Sequence, residues 1–160
     1  MKITLNIELS PNANVLKLVQ EFQYYKQTHP SAMAVYSQTE QEKYPSDHAL
    51  FGRDKLFLSP LSAEREQLHH LHFWTANSAH REWKPGNPDG LFQWYCTSDS
   101  YLIYSVINHD KDFHHFHIHA VVDPNAHAIY KDHKLINIWA KEAMNIRLGC
   151  TSPYIFTSPE

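Results

Sequence analysis

Apolar residues fall on every second position in several separate stretches of this chain, and that period of two constrains the fold more than any other feature. Ile3, Leu5, Ile7 and Leu9 alternate with Lys2, Thr4, Asn6 and Glu8, the pattern of a strand with one buried face. Leu71 and Phe73 alternate with His70, His72 and Trp74, whose side chains leave the opposite face. Phe92 to Cys96 and Tyr101 to Ile107 read as two further strands, with Thr97-Ser98-Asp99-Ser100 as their hairpin turn. Phe116, Ile118, Ala120 and Val122 line one face of another strand, against His115, His117 and His119.

Two stretches carry a helical period instead. Ser10-Pro11 is a helix start, and Val15, Leu18, Val19, Phe22 and Tyr25 recur at spacings of three and four up to about Thr28, before Pro30. Asp123-Pro124 opens a final helix with Ile129, Ile136, Trp139, Ala143 and Ile146 as its apolar stripe and Gly149 as its end. Residues 31–50 read as a polar loop with at most one helical turn. Phe51-Gly52-Arg53-Asp54 interrupts the pattern, with Gly52 suited to a positive φ. Residues 150–160 read as a tail that pairs as an edge strand or stays mobile. The order predicts a single α+β domain over 1–160: a twisted antiparallel sheet of at least four strands, with helices on one face. The other face is expected to be open and to carry His70 and His72.

No run of about 18 apolar residues exists to span a membrane, and Met1 to Asn6 lacks the apolar run of a signal peptide. A cytoplasmic address is expected. Cys96 and Cys150 cannot make a disulfide framework and read as buried small residues. The 14 Lys+Arg against 17 Asp+Glu give a charge of −3, whereas a free-standing nucleic-acid binder is usually basic. The unusual count is 13 His.

Histidine suits proton transfer near neutrality, because its ordinary pKa is about 6.5. Arginine suits phosphate through its planar fork. Acid–base chemistry at a phosphate ester without a metal needs a base, an acid and a cation. His70 and His72 on one strand face supply the first two, and Trp74 on the same face could stack on a base. Arg53 would hold a phosphate, and Asp54 would orient it or a histidine. Arg81 and Lys84 flank Trp83, a mixture seen on single-strand RNA surfaces, although Trp83 also reads as packing back on the sheet. Lys131, Lys134 and Lys141 share one face of the last helix. No metal is expected. His115, His117 and His119 on one straight strand diverge over roughly 13 Å, at most two could share an ion, and no Glu lies near them in sequence.

Several of these pieces together resemble the YafO family of bacterial type II toxins. They are the first strand and the helix carrying Phe22 and Tyr25-Lys26, then Phe51-Gly52-Arg53-Asp54, His70-Leu71-His72, and Tyr95-Cys96 before the strand Leu102 to Ile107. His133-Lys134-Leu135 opens the helical run that reaches Ala143 and Arg147. Residues 108–132 look longer than the family pattern and read as an insertion. The resemblance implies a RelE/ParE-like fold, an mRNA interferase acting with the ribosome, and a cognate antitoxin as partner. It implies direct roles for His133 in catalysis and for Lys134 and Arg147 in RNA binding, and no cofactor. Two other classes remain open: a non-catalytic module of the same fold that blocks a cellular partner, and a histidine-based metal-dependent hydrolase.

Overall fold

In the computed structural model, which describes residues 1–6, 8–9, 13–28, 38–46, 48–109 and 113–157, the alternating stretches join into one six-stranded sheet. The strands are β1 (Lys2–Leu5), β2 (Phe51–Leu56), β3 (Leu68–Phe73), β4 (Tyr101–His109), β5 (His114–Val122) and β6 (Tyr154–Ile155). The helices are α1 (Ala13–Thr28), α2 (Gln38–Gln41), α3 (Leu61–Arg65) and α4 (His133–Arg147), with 3-10 turns at Gln93–Tyr95 and Ala126–Lys131. Across the sheet the order is β2-β3-β4-β5-β1-β6. Every neighbouring pair is antiparallel except β1 and β5, which run parallel with Ile3 beside Phe116 and Leu5 beside Ile118. The tail does form an edge strand, β6 on β1. Residues 108–132 contribute β5, an interior strand. No helix of the described residues is long and apolar enough to cross a membrane.

Alternation along the strands sorts the side chains into two cores. Ile3, Leu5, Leu71, Phe73, Leu102, Tyr104, Phe116 and Ile118 meet Leu18, Val19, Phe22 and Tyr25 of α1. On the other face, Leu68, Tyr101 and Ile103 meet Phe57, Ala63, Ala126 and Ile129, and then Ile136 and Trp139 of α4. Helices therefore cover both faces, and the expected open face does not exist. The reason is legible in β4, where Tyr101-Leu102-Ile103-Tyr104 is apolar on both sides, as an interior strand between two layers must be.

Other local expectations change as well. Phe51–Leu56 is a strand, and Gly52 lies within it without a positive φ. Its reason is close approach: a Cβ there would lie 2.2 Å from the Cys96 carbonyl oxygen. Phe92 to Cys96 is not a strand but holds the 3-10 turn Gln93–Tyr95, so Thr97–Ser100 makes no hairpin, and β4 pairs with β3 instead. The final helix is in two pieces, because the Asp132 side chain accepts a hydrogen bond from the Leu135 N–H (3.0 Å) and starts α4 afresh. Gly149, at φ +71°, ends it as expected. Of the polar stretch 31–50, residues 38–41 form the short helix α2, while 31–37, 47 and Pro30 lie outside the described residues. Cys96 is buried, and burial pushes its thiol up to about 12; Cys150 is exposed.

The α1 side also buries an ion pair. Lys26 Nζ lies 2.8 Å from Asp54 Oδ2 and 2.8 Å from the Tyr104 hydroxyl, which itself donates to Asp54. Gln41 of α2 brackets the same residue, donating to the Asp54 carbonyl and accepting from its N–H at 2.8 Å. That side chain stands in for a strand partner where β2 shifts register against β3.

Candidate active site

Strand β3 sends His70 and His72 to the α4 side, where they are 0% and 2% exposed. Their cover is the 3-10 turn Ala126–Lys131. Asp99 anchors that turn, its carboxylate accepting from the Asn125 N–H (3.0 Å), the His127 N–H (2.8 Å) and His127 Nδ1 (2.7 Å). Against a burial cost, these His127 and Asn125 donors hold the Asp99 carboxyl below its usual value. In a 3-10 turn, side chains three apart eclipse, so His127 and Tyr130 share a side. The Tyr130 hydroxyl makes a short hydrogen bond with His70 Nε2. The His127 ring lies 6.2 Å from His72 and 5.6 Å from Tyr101, centroid to centroid. Tyr101 stands opposite His72 across the β3–β4 ladder, their rings 4.5 Å apart.

Arg53 reaches this cluster from β2. Its Nε donates to the Trp94 carbonyl at 2.6 Å, and its guanidinium lies 4.3 Å from the Trp94 ring centre. Among the described residues no carboxylate pairs with it. Burial lowers its pKa, an effect offset by Tyr130, Tyr101 and Tyr95 nearby. Burial drives His72 down to about 3, with the Arg53 charge adding to the drop and the Ser98 backbone opposing it. Burial, and then the neighbouring His72, drives His70 well below its usual value. Both imidazoles are therefore neutral. Burial also pushes Tyr130 up to about 12 and raises Tyr101 further. Two polar atoms inside the cluster, His70 Nδ1 and the Tyr101 hydroxyl, have no hydrogen-bond partner among the described residues.

The other residues expected at a site lie elsewhere. Asp54 points into the α1-side core, because neighbours on a strand leave opposite faces, so it cannot orient Arg53 or His72. Trp74 also leaves the histidine face. Its Nε1 donates to the Trp83 carbonyl (2.9 Å), and it lines a cavity of about 300 Å³ with Val15, Leu18 and Leu50. Trp83 is buried, while Arg81 and Lys84 are exposed on the loop, with Lys84 Nζ bonded to the Arg81 carbonyl (2.7 Å). His133 and Lys134 are exposed on the first turn of α4. Arg147 is at its far end, about 20 Å along the axis, where it makes two hydrogen bonds to Glu66 (3.0 and 2.8 Å).

The sequence reading missed Trp94, Tyr101, His127 and Tyr130. A β3–β4 hairpin would have given Tyr101, and the i, i+3 spacing of His127 and Tyr130 would have given the pair had a 3-10 turn been expected. Further along the same face, His117 and His119 of β5 meet the Glu142 carboxylate of α4. These are the described residues that could hold a metal, and the Glu that was missing in sequence arrives from another element.

A mostly antiparallel sheet between helical layers, with a half-buried arginine among histidine and tyrosine side chains, defines a small α+β protein with an anion-competent cluster at one end of the sheet. The family model described as toxin YafO of a type II toxin–antitoxin system matches residues 23–148, from within α1 to the end of α4. The chain belongs to that family, and as a toxin of such a system it has an antitoxin as its partner. Neither the curated proteins nor the solved structures give a match.

Proposed function

We propose that this toxin is an endoribonuclease that cuts mRNA on the ribosome in the cytoplasm, by proton transfer without a metal, in the manner of RelE-like toxins. The observation that carries the reading is Arg53. It is a half-buried guanidinium lying on Trp94, with no carboxylate partner among the described residues, beside Tyr130, Tyr101 and His72. A phosphate on its fork and a base on the indole would satisfy both surfaces.

His70 and His72 are too buried to meet RNA directly, so on this reading they position the groups that do. Tyr130, with His70 behind it, and His127, with Asp99 behind it, are the reachable proton carriers. The 2′-hydroxyl attacks the adjacent phosphorus as one of them takes its proton. The other protonates the departing 5′ oxygen, leaving a 2′,3′-cyclic phosphate and a 5′-hydroxyl end. Arg53 steadies the charge that develops on phosphorus-bound oxygen. The exposed His133, Lys134, Arg81 and Lys84 would hold flanking phosphates.

The test is mapping of transcript ends in a translating lysate with purified toxin. Wild type should leave 5′-hydroxyl ends, and Arg53→Lys, which keeps the charge and loses the fork, should cut at least tenfold more slowly while folded. Loss of one proton carrier, in Tyr130→Phe or His127→Gln, should cost about 10²–10⁴-fold. Arrested translation with intact mRNA, or full activity in Arg53→Lys, would overturn the reading.

A further inference from the structure

We infer that His117, His119 and Glu142 form a binding site for a divalent transition metal of borderline softness, the class to which zinc belongs. The three side chains offer ligand atoms that all lie within 4.8 Å of one another. His117 Nε2 is 3.2 Å from Glu142 Oε1, and His119 Nδ1 is 2.7 Å from Glu142 Oε2. Ligands on a tetrahedral ion at bond lengths of about 2.0–2.1 Å stand roughly 3.3 Å apart, so seating an ion needs the short His119–Glu142 contact to open slightly and the widest separation, up to 4.8 Å, to close.

The site takes two of the three strand histidines, as the divergence along β5 allows, and β5 is not straight where it supplies them. Ile103 pairs with Ala120 and Tyr104 with Ile118, so His119 is an extra residue at a register shift. The bulge turns it toward His117 instead of carrying it along the strand, and the two rings stand 4.6 Å apart.

The surroundings add an independent argument. A metal-bound imidazole needs its other nitrogen held, so that the ligating nitrogen presents a lone pair. Thr4 Oγ1 holds His117 Nδ1 at 2.9 Å, and Ser105 Oγ holds His119 Nε2 at 2.9 Å. Asn6 Nδ2 donates to Glu142 Oε1 at 2.8 Å, fixing the carboxylate. All three ligands are thus held from behind, by β1, β4 and the residue that follows β1. Meanwhile His117 Nε2 is buried and makes no hydrogen bond, although it faces the carboxylate. An ion there gives that nitrogen the partner it lacks. His115 does not join, because its Nε2 is turned to Thr4.

Ser105 is four residues along β4 from Tyr101, so the site is about 13 Å from the Arg53 cluster. The ion would be a staple and not a reactant. It would fix α4 to β5, and with α4 the preceding turn that carries His127 and Tyr130. The two proposals therefore fail separately, since cleavage reads the cluster and metal affinity reads the staple.

Tag-free protein, stripped with chelator and dialysed, is titrated with zinc by calorimetry, and thermal unfolding is recorded on the same samples. One equivalent should bind with low-micromolar or tighter affinity and raise Tm by several degrees. His119→Gln and Glu142→Gln should lose both effects, and His80→Gln, on the exposed loop, should keep both. Cobalt-loaded wild type needs no variant to fold. It should give visible d–d bands of nitrogen and oxygen ligation with no thiolate charge-transfer band, since neither Cys96 nor Cys150 takes part. Absence of a saturable equivalent in wild type, unchanged binding in folded His119→Gln, or a thiolate band would each overturn the site.

Discussion

Replacing Lys26 with methionine would strip the cation from a carboxylate that is 1% exposed in the α1-side core. Lys26 Nζ is 2.8 Å from Asp54 Oδ2 and sits among the rings of Phe22, Tyr25, Tyr104 and Phe116, its nitrogen 4.6–5.6 Å from their centres. Methionine fills nearly the same volume, so the packing term is small. What remains is a buried carboxylate held by the Tyr104 hydroxyl and the His69 ring at 3.4 Å. Breaking a buried pair from one side costs about 3–5 kcal/mol, a large share of the roughly 5–15 kcal/mol that holds a typical domain.

The pH dependence separates this cause from ordinary core damage. In wild type burial raises the Asp54 pKa, but the Lys26 charge and the His69 contact outweigh it and hold the carboxyl well below its usual range. Its contribution is therefore complete above the unfolded value of about 3.9 and is lost as pH falls below it. In Lys26→Met burial dominates, the Asp54 pKa rises above the unfolded value, and the native state binds the extra proton. The deficit relative to wild type should then shrink as pH falls from 7 toward 4. Urea unfolding of both proteins across that range measures the difference, in which the effects of histidines remote from Asp54 cancel. Lys26→Met/Asp54→Asn should recover much of the loss. Because Asp54 faces away from the Arg53 cluster, the double variant should also still cleave RNA where it is folded. A deficit under about 1 kcal/mol that does not move with pH would refute the reasoning.

Acid should weaken the wild-type fold earlier than its carboxylates require. His70 and His72 refuse protons when folded and accept them near the ordinary value of about 6.5 when unfolded, so stability is present above that pH and lost below it, by up to about 1.4 kcal/mol per pH unit for each. His72→Gln should flatten the fall of Tm between about 6.5 and the folded His72 value of about 3; an unchanged slope would show that His72 is protonated in the native state. Gly52→Ala should cost at least about 2 kcal/mol in chemical denaturation, because its Cβ would meet backbone, the Cys96 carbonyl oxygen at 2.2 Å, and no side chain can swing aside.

The elements that were legible in sequence are those with one uncontested period. β1, α1, β3 and the bulk of α4 all have it; β4 was legible as an apolar run instead, and β5 changes face at its bulge, so that Phe116 and Ile118 lie on the α1 side but Ala120 and Val122 on the α4 side. β2 was missed because its register shift and the opposed Arg53 and Asp54 erase the alternation. The coverage of both faces was missed because the α4-side core is built partly from histidines. His70, His72, His117 and His119 are among its buried residues, and a rule that reads polar as exposed assigns them to solvent. The same assumption cut both ways at the site. Arg53 from one motif and His70 and His72 from another do come together in one cluster. Arg53 and its neighbour Asp54 do not, because adjacency in sequence means opposition in a strand. Glu142 could not be read at all, for it is more than twenty residues from His119 and only the docking of α4 brings it there.

A net charge of −3 does not conflict with a phosphate site at Arg53, but it does say how RNA must arrive. Several cations are spent internally: Lys26 on Asp54, Lys43 on Glu40 and Arg147 on Glu66. Arg53 has no such carboxylate among the described residues, and its half-buried position on Trp94 lowers the local dielectric, so a phosphate there feels a stronger field than at an exposed lysine. That field is short-ranged, because at physiological salt charges separated by more than about 8 Å are largely screened. With a net charge of −3, the chain carries no excess of positive charge to draw nucleic acid from solution. An enzyme so built should capture free RNA poorly and work where another body holds the message against it. On the proposed function that body is the ribosome. Adding purified ribosomes to a toxin and mRNA mixture should then raise cleavage far more than adding an equal mass of free RNA. Equal rates on free and ribosome-held mRNA would mean that Arg53 and its neighbours suffice for capture, and the ribosome would drop out of the mechanism.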